Sequence, residues 1–265
     1  MSGDWVCLMW HEVLAGEPAS GGFSDYFAVS RHTFGRQLDA IAAAGYRGCS
    51  LAGALSGGTG PRVGITFDDG TIGHYERALP ELVARKMTAT FFVTTAWVGR
   101  PGYVTWDQLR AMRDAGMEIG SHTRTHPFLS ELDAENVERE LRGAREEIDT
   151  ALGQRTVTVA LPGGDAPRRA LRPLLAGAGY SVVATSRWGV NGPARPGAPA
   201  WIRRCTVPVA SRLEEFQRIL DGDVMLSVRR RSREWVLGAL RDVLGPTRYT
   251  RWRRRFLDAA RRRGD

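Results

Sequence analysis

The chain reads as an α/β protein: a parallel sheet, open or closed into a barrel, followed by an arginine-rich helical extension. Three observations predict this. Seven short runs rich in Val, Ile, Thr and aromatics alternate with six stretches of helical periodicity. Capping residues punctuate the helical stretches at both ends. The polar residues with chemical potential follow the apolar runs, at the C-terminal ends of successive parallel strands, where such sheets build active sites.

Strands are expected at Val6–Trp10, Val63–Phe67, Ala89–Val93, Met117–Gly120, Thr156–Leu161, Ser181–Thr185 and Ile202–Val207. Helices are expected at about Thr33–Ala44, His74–Arg85, Thr105–Ala115, Asp133–Leu152, Pro167–Ala178 and Arg212–Leu220. Thr105 and Asp133 stand as N-caps, and Gly45, Gly116, Gly153 and Gly179 follow helix ends. Gly16–Gly22 and Gly53–Gly60 read as flexible loops. On this frame His11 follows the first strand, Asp68 and Asp69 the second, and Thr94, Thr95 and Trp97 the third. Ser121 and His122 follow the fourth, Pro162-Gly163-Gly164-Asp165 the fifth, and Ser186-Arg187-Trp188 the sixth.

Composition bounds the function. At 265 residues with 43% hydrophobic residues and 13 prolines, the chain is an ordinary globular protein, read as a barrel domain over 1–220 and an extension over 221–265. Three scattered cysteines form neither a disulfide framework nor a cysteine metal site, which suits a reducing compartment. The first residues lack a basic, apolar, small-residue export pattern, and no run approaches the roughly 20 apolar residues of a membrane span, so a cytoplasmic location is expected. The net charge is +8, yet residues 221–265 alone hold thirteen arginines against six acids. The rest is nearly neutral, so no nucleic-acid footprint over the whole surface is expected.

The chemistry centres on Ile65-Thr66-Phe67-Asp68-Asp69-Gly70, where a strand ends in a turn presenting two adjacent acids. Two carboxylates at the mouth of a core strand repel and invite a cation. The partner is Ser121-His122-Thr123-Arg124-Thr125-His126-Pro127, in a polar loop or first helical turn. On one helical turn, imidazoles four positions apart share a face and can bind one metal. One carboxylate and two imidazoles leave positions for water and substrate, the pattern of a catalytic rather than a structural zinc site. Zinc is the expected ion, and cobalt, nickel or manganese would also suit the donors.

These residues carry a resemblance. Thr66-Phe67-Asp68-Asp69-Gly70, Ser121–Pro127 and Ala160-Leu161-Pro162-Gly163-Gly164-Asp165 resemble successive motifs of the polysaccharide deacetylase, or NodB-homology, family of carbohydrate esterases. Met9-Trp10-His11 is similar to its N-terminal Tyr-His element, and the resemblance runs from about Val6 to Leu220. It implies a distorted, incomplete β/α barrel holding a divalent metal and hydrolysing the N-acetyl group of an amino sugar. Asp69, His122 and His126 would be the metal ligands and Asp68 the general base. The backbone N–H of Gly163 would donate to the developing oxyanion, so that its side chain is free to vary. The metal would polarise the carbonyl and ease deprotonation of a water. A deformylase or deacylase of another N-acyl or ureide compound, or a non-catalytic metal- and carbohydrate-binding relative, fits the same donors.

Two departures stand out. The family's third motif begins with an arginine that holds the catalytic aspartate, where this chain has Ala160, and the family's late histidine, a general acid, is absent after His126. His11, on the same face as the metal set, is the candidate acid, with His74 the weaker choice and a metal-held water a third. Trp188 with Asn191, Trp97 with Trp106, and Pro162 could wall the sugar; Arg187 could contact an anionic group, while Arg203 and Arg204 read as solvated surface. The expected substrate is a small-molecule or lipid-linked amino sugar inside the cell. In the extension, Tyr249, Trp252 and Phe256 recur at helical spacing among arginines. That pattern packs on the barrel, and it also suits peripheral contact with an anionic membrane.

Overall fold

A computed structural model of the chain describes residues 4–16, 28–57, 60–164, 171–193, 199–207, 213–223 and 225–230, with residues 232, 237, 244, 245, 247–249, 251 and 252 of the extension. In chain order the strands are β1 Val6–Trp10, β2 Glu12–Leu14, β3 Ala28–Ser30, β4 Arg47–Cys49, β5 Arg62–Phe67 and β6 Thr90–Val93. They continue with β7 Glu118–Ser121, β8 Thr158–Ala160, β9 Val182–Ala184, β10 Ala200–Ile202 and β11 Cys205–Thr206. The helices are α1 Arg31–Ala43, α2 Leu51–Leu55, α3 Leu79–Ala84, α4 Trp106–Asp114, α5 Ala134–Leu152, α6 Leu171–Gly177 and α7 Leu213–Leu220.

Nine strands form one parallel sheet in the order β10-β9-β8-β7-β6-β5-β1-β11, with β4 paired to the first half of β5. All the ladders are parallel, so every strand delivers its C-terminal end to the same side. The central strands β1, β5 and β6 are buried on both faces almost throughout, which is why they are largely apolar runs rather than alternating ones. β10 and β11 stand at opposite ends of the order, yet only Arg203 and Arg204 separate them in the chain. The sheet therefore curls until its edges are a two-residue step apart, and no described ladder closes the seam. That is a distorted, incomplete β/α barrel. It divides the expected Ile202–Val207 run into two strands because the chain must step across the gap. A helical structure for the extension as a whole lies outside the described residues.

The elements form for local reasons. Ser30, Thr105 and Asp133 each accept a backbone N–H from the first turn of α1, α4 and α5, and Thr105 with Gln108 completes a capping box. Gly153 ends α5 in the left-handed conformation. The helix expected at His74–Arg85 is real but begins as a π-turn over His74–Ala78 before α3 takes over. Gly53, expected in a loop, lies inside α2; residues 17–22 of the other glycine-rich stretch lie outside the described residues. The strands β2, β3 and β4 went unforeseen because each is three residues long, too short to show a period.

Beneath the site the core is aromatic. Phe67 stacks on Phe91 at 4.7 Å and on Trp10 at 5.7 Å, and Phe34 meets Phe67 edge-on at 5.5 Å. Each such pair adds about 0.5–1.5 kcal/mol beyond burial alone. Phe67 immediately precedes Asp68, so this cluster is the rigid floor on which the two acids stand.

Candidate metal centre and its surroundings

The turn after β5 carries Asp68 and Asp69 in opposite roles. Asp69 has φ 81, a left-handed conformation that costs an aspartate on the order of 1 kcal/mol, and its carboxylate faces His122 and His126 while that of Asp68 faces Arg204. The turn is held from outside: Val104 N–H donates to Gly70 O at 3.0 Å and Ile72 N–H to Gly102 O at 2.9 Å. The histidine segment after β7 is a loop, not a helical turn. Thr123 and His126 take φ values of 65 and 64, and the His126 N–H donates to Thr123 Oγ1 at 3.1 Å. Glu140 of α5 ties the loop down, accepting from the backbone N–H groups of Arg124 and Thr125 and from the Thr125 hydroxyl at 2.9, 2.8 and 2.6 Å. The four-residue spacing brings two imidazoles together through this bent loop, with ring centroids 4.8 Å apart.

Both imidazoles present Nε2 to Asp69 Oδ1 at 3.4 Å, and one ligand atom from each of the three residues lies within 4.8 Å of the others. His122 Nδ1 is 3.0 Å from Ala160 O, a contact that places its proton on Nδ1 and leaves a lone pair on Nε2. Asp69 Oδ1 is buried and accepts no hydrogen bond. Lone-pair donors converging on one point, with a buried carboxylate oxygen unsatisfied among them, fit a divalent cation in an oxygen and two-nitrogen set. Burial alone would raise the pKa of Asp69, but His122 and His126 hold it well below the carboxylate range. Burial works to lower that of His122, and Asp68 and Asp69 raise it instead.

Asp68 is 2% exposed, and its partner overturns the reading of Arg204 as solvated surface. Arg204 is fully buried. Its two terminal nitrogens donate to Asp68 Oδ1 and Oδ2 at 2.6 and 2.8 Å, its Nε donates to Thr185 O at 3.1 Å, and its guanidinium lies 5.4 Å from the Phe92 ring centre. Against burial, which raises the Asp68 pKa, this cation keeps it low. Ala160 therefore costs the site no arginine: the guanidinium arrives from the barrel seam. Arg203 beside it is exposed, as read. The available signal was its setting between the apolar Ile202 and Cys205, in a chain whose third motif lacked an arginine.

His11 follows β1, partly buried, close enough to Asp69 and Asp68 to feel both; burial nevertheless lowers its pKa, so the ring is neutral at pH 7. His74 is no surface residue. It is fully buried, its Nε2 lies 2.5 Å from His11 O, and its ring packs on Phe67 and Phe91. This histidine fastens the backbone of His11.

The expected walls separate. Trp97 stays at the mouth, stacked on His126 at 5.1 Å and tilted on Tyr103 at 5.1 Å, and Tyr103 lies near enough to Asp69 for that charge to raise its pKa after burial does. Tyr103 carried no signal, sitting in a loop with no period. Trp106 instead packs against the core and lines a groove of about 550 Å³ with Thr95, Glu146 and Glu147. Trp188 and Asn191 do not form a sugar wall. Trp188 is 5% exposed with the Arg230 guanidinium 5.1 Å from its ring centre, and Asn191 is spent on the backbone of Arg203. Arg187 is exposed and Pro162 buried. Gly163, in the turn after β8, has φ 63, and a Cβ there would lie 2.1 Å from Phe128 Cε1. Its side chain is thus not free to vary.

Sequence and fold comparisons show what the chain is similar to. A family model described as polysaccharide deacetylase matches residues 56–183. A chitooligosaccharide deacetylase of Sinorhizobium fredii is 37% identical over 103 residues, 38% of this chain and 46% of that protein. The peptidoglycan-N-acetylmuramic acid deacetylase PdaA of Bacillus subtilis is 33% identical over 94 residues, 34% of this chain and 33% of that protein. The chain spans less than half the length of these curated relatives. The Streptococcus pyogenes deacetylase PplD, solved in complex with acetate, superposes with a TM-score of 0.72 at 24% identity over 83% of this chain and 99% of that one, a likeness of fold.

Proposed function

We propose that the chain, whose residues 56–183 match the polysaccharide deacetylase family model, is a metal-dependent hydrolase removing the N-acetyl group from an N-acetylamino sugar. The observation that carries the reading is the convergence of Asp69 Oδ1, His122 Nε2 and His126 Nε2 beside an Asp68 gripped by Arg204. Asp69, His122 and His126 would hold the cation, which supplies a Lewis acid for the amide carbonyl and makes a water easier to deprotonate.

This chain's residues supply the remainder. Asp68, ionised and locked by two charge-assisted hydrogen bonds, is the base that accepts a proton from the attacking water. Gly163 offers its N–H to the oxygen on which charge develops. The leaving amine takes up the proton that Asp68 removed from the water, and His11, neutral at rest and fixed through its carbonyl by His74, is the group that relays it, gaining that proton on one ring nitrogen and giving one up from the ring, so that both side chains end as they began. Trp97 and Tyr103 flank the mouth and present aromatic faces to a sugar ring. In our reading the substrate is a glycoside, an activated sugar or a lipid-linked precursor, acted on in the cytoplasm.

The test is acetate and formate release from a panel of N-acylated amino sugars, glycosides and lipid-linked sugars, after chelation and with zinc, cobalt, nickel or manganese restored. Metal-dependent acetate release that Asp68→Asn and His122→Ala each lower by at least ~10²-fold supports the reading. Formate without acetate would replace it with a deformylase. Metal binding abolished by His122→Ala with no turnover on any panel member would leave a binding protein.

A further inference from the structure

The extension is fastened to the catalytic end of the barrel. The carboxylate of Glu131 accepts from the Thr247 N–H at 3.1 Å and from the Thr247 hydroxyl at 2.6 Å. Glu131 ends a short 3₁₀ turn, Leu129–Glu131, in the loop that carries His126, and Phe128 of that loop covers Gly163. The contact therefore lies beside the metal-ligand loop and the turn after β8, not at the far end of the barrel.

What the described residues of the extension show to solvent is mixed in character. Tyr249 is buried, with Trp252 packed against it at 6.1 Å between ring centres. Trp252, expected to be packed on the barrel, is itself 40% exposed, and Arg248 and Arg251 are exposed with it. Positions 248, 251 and 252 share one helical face. Met225, Val228 and Arg229 repeat the arrangement at the same spacing, with Met225 75% and Val228 52% exposed. Arginines outnumber acids thirteen to six across residues 221–265, and there is no lysine among them. Exposed apolar side chains interleaved with arginines suit the boundary between headgroups and acyl chains, where the apolar groups insert and the guanidinium groups meet phosphate. A nucleic acid would reward the charge but gain nothing from an exposed Met225 and Val228.

We propose that the exposed faces around Met225, Val228 and Arg229 and around Arg248, Arg251 and Trp252 bind an anionic lipid surface, holding the catalytic end of the barrel close to it. Binding is independent of turnover and of the deacetylase reading. The full-length protein, incubated with phosphatidylcholine vesicles with and without phosphatidylglycerol at low and high salt, is expected to co-sediment with the anionic vesicles at low salt. Arg248→Gln/Arg251→Gln should weaken that partition about 25-fold, about fivefold for each arginine. Trp252→Ser should weaken it as well, while hydrolysis of a soluble substrate stays as in wild type, since none of these residues belongs to the site. Equal partition onto both vesicle types, or anionic binding that both variants leave unchanged, would overturn the proposal. So would salt-sensitive binding to duplex DNA without preference for anionic vesicles.

Discussion

At the scale of single residues the site depends on backbone conformations that side chains seldom adopt. Asp69, Thr123 and His126 all have positive φ, leaving Lys86 as the only other described non-glycine residue that does. Strain of this kind persists where the surroundings over-determine it, and here a metal set is what it assembles. Gly163 shows the same logic with a glycine. Its φ of 63 disfavours any side chain, and the Phe128 ring occupies the volume a Cβ would need. Gly163→Ala is therefore expected to destabilise the fold by about 1–3 kcal/mol, combining backbone strain with a clash. It should also lower kcat by up to about 10²–10³, the range for losing an oxyanion donor. Alanine keeps the N–H but displaces it, so Phe128→Leu, by relieving the clash, should recover part of both the melting temperature and kcat. If Gly163→Ala lowers the melting temperature while kcat, measured where the variant is folded, stays as in wild type, the N–H of Gly163 has no part in the reaction.

At the scale of elements, the π-turn His74–Ala78 is the device that joins the first two strand ends. Its first residue reaches back to the carbonyl of His11 from a pocket walled by Phe67 and Phe91. Burial drives the His74 pKa down to about 4 from the ordinary 6.5. The unfolded chain therefore binds a proton that the folded one refuses between those values. The stability tied to His74 is complete above pH 6.5 and is lost as pH falls toward 4, by about 3 kcal/mol in all at 1.36 kcal/mol per unit. His74→Gln keeps a donor for His11 O and removes the titration. Thermal midpoints of the two proteins measured between pH 4 and 7 should thus converge as the pH drops, and parallel curves would show that His74 does not titrate in that window. The helix containing this residue was legible from its period. Its burial was not, because one histidine near a helix start reads alike on either face.

At the scale of the whole molecule, the longer parallel strands and the grouping of Asp69, His122 and His126 were legible because both rest on strong local signals: those strands are largely apolar runs, and the three residues lie just past strand ends. Arg204 was not legible, because its burial follows from long-range closure. It sits in the two-residue step between β10 and β11, where the barrel fails to close, and only the curled sheet turns that step toward Asp68, 136 residues away in sequence. Removing a single partner of such a pair strands a buried charge. Arg204→Met should cost about 3–5 kcal/mol, and Asp68→Asn/Arg204→Met should recover much of that stability without recovering activity. The sharper test moves the guanidinium. Ala160 and Phe92 belong to one buried cluster, and Arg204 lies over that same Phe92 ring, so a side chain grown from position 160 would approach the volume that Arg204 leaves when truncated. In Arg204→Ala, restoring arginine at the motif position with Ala160→Arg should raise kcat at least tenfold over Arg204→Ala alone, with KM little changed, because what returns is the grip on Asp68 rather than a contact with substrate. If kcat stays at the level of the single variant while the double variant folds and binds metal, the arginine is needed at the seam itself and not merely beside Asp68.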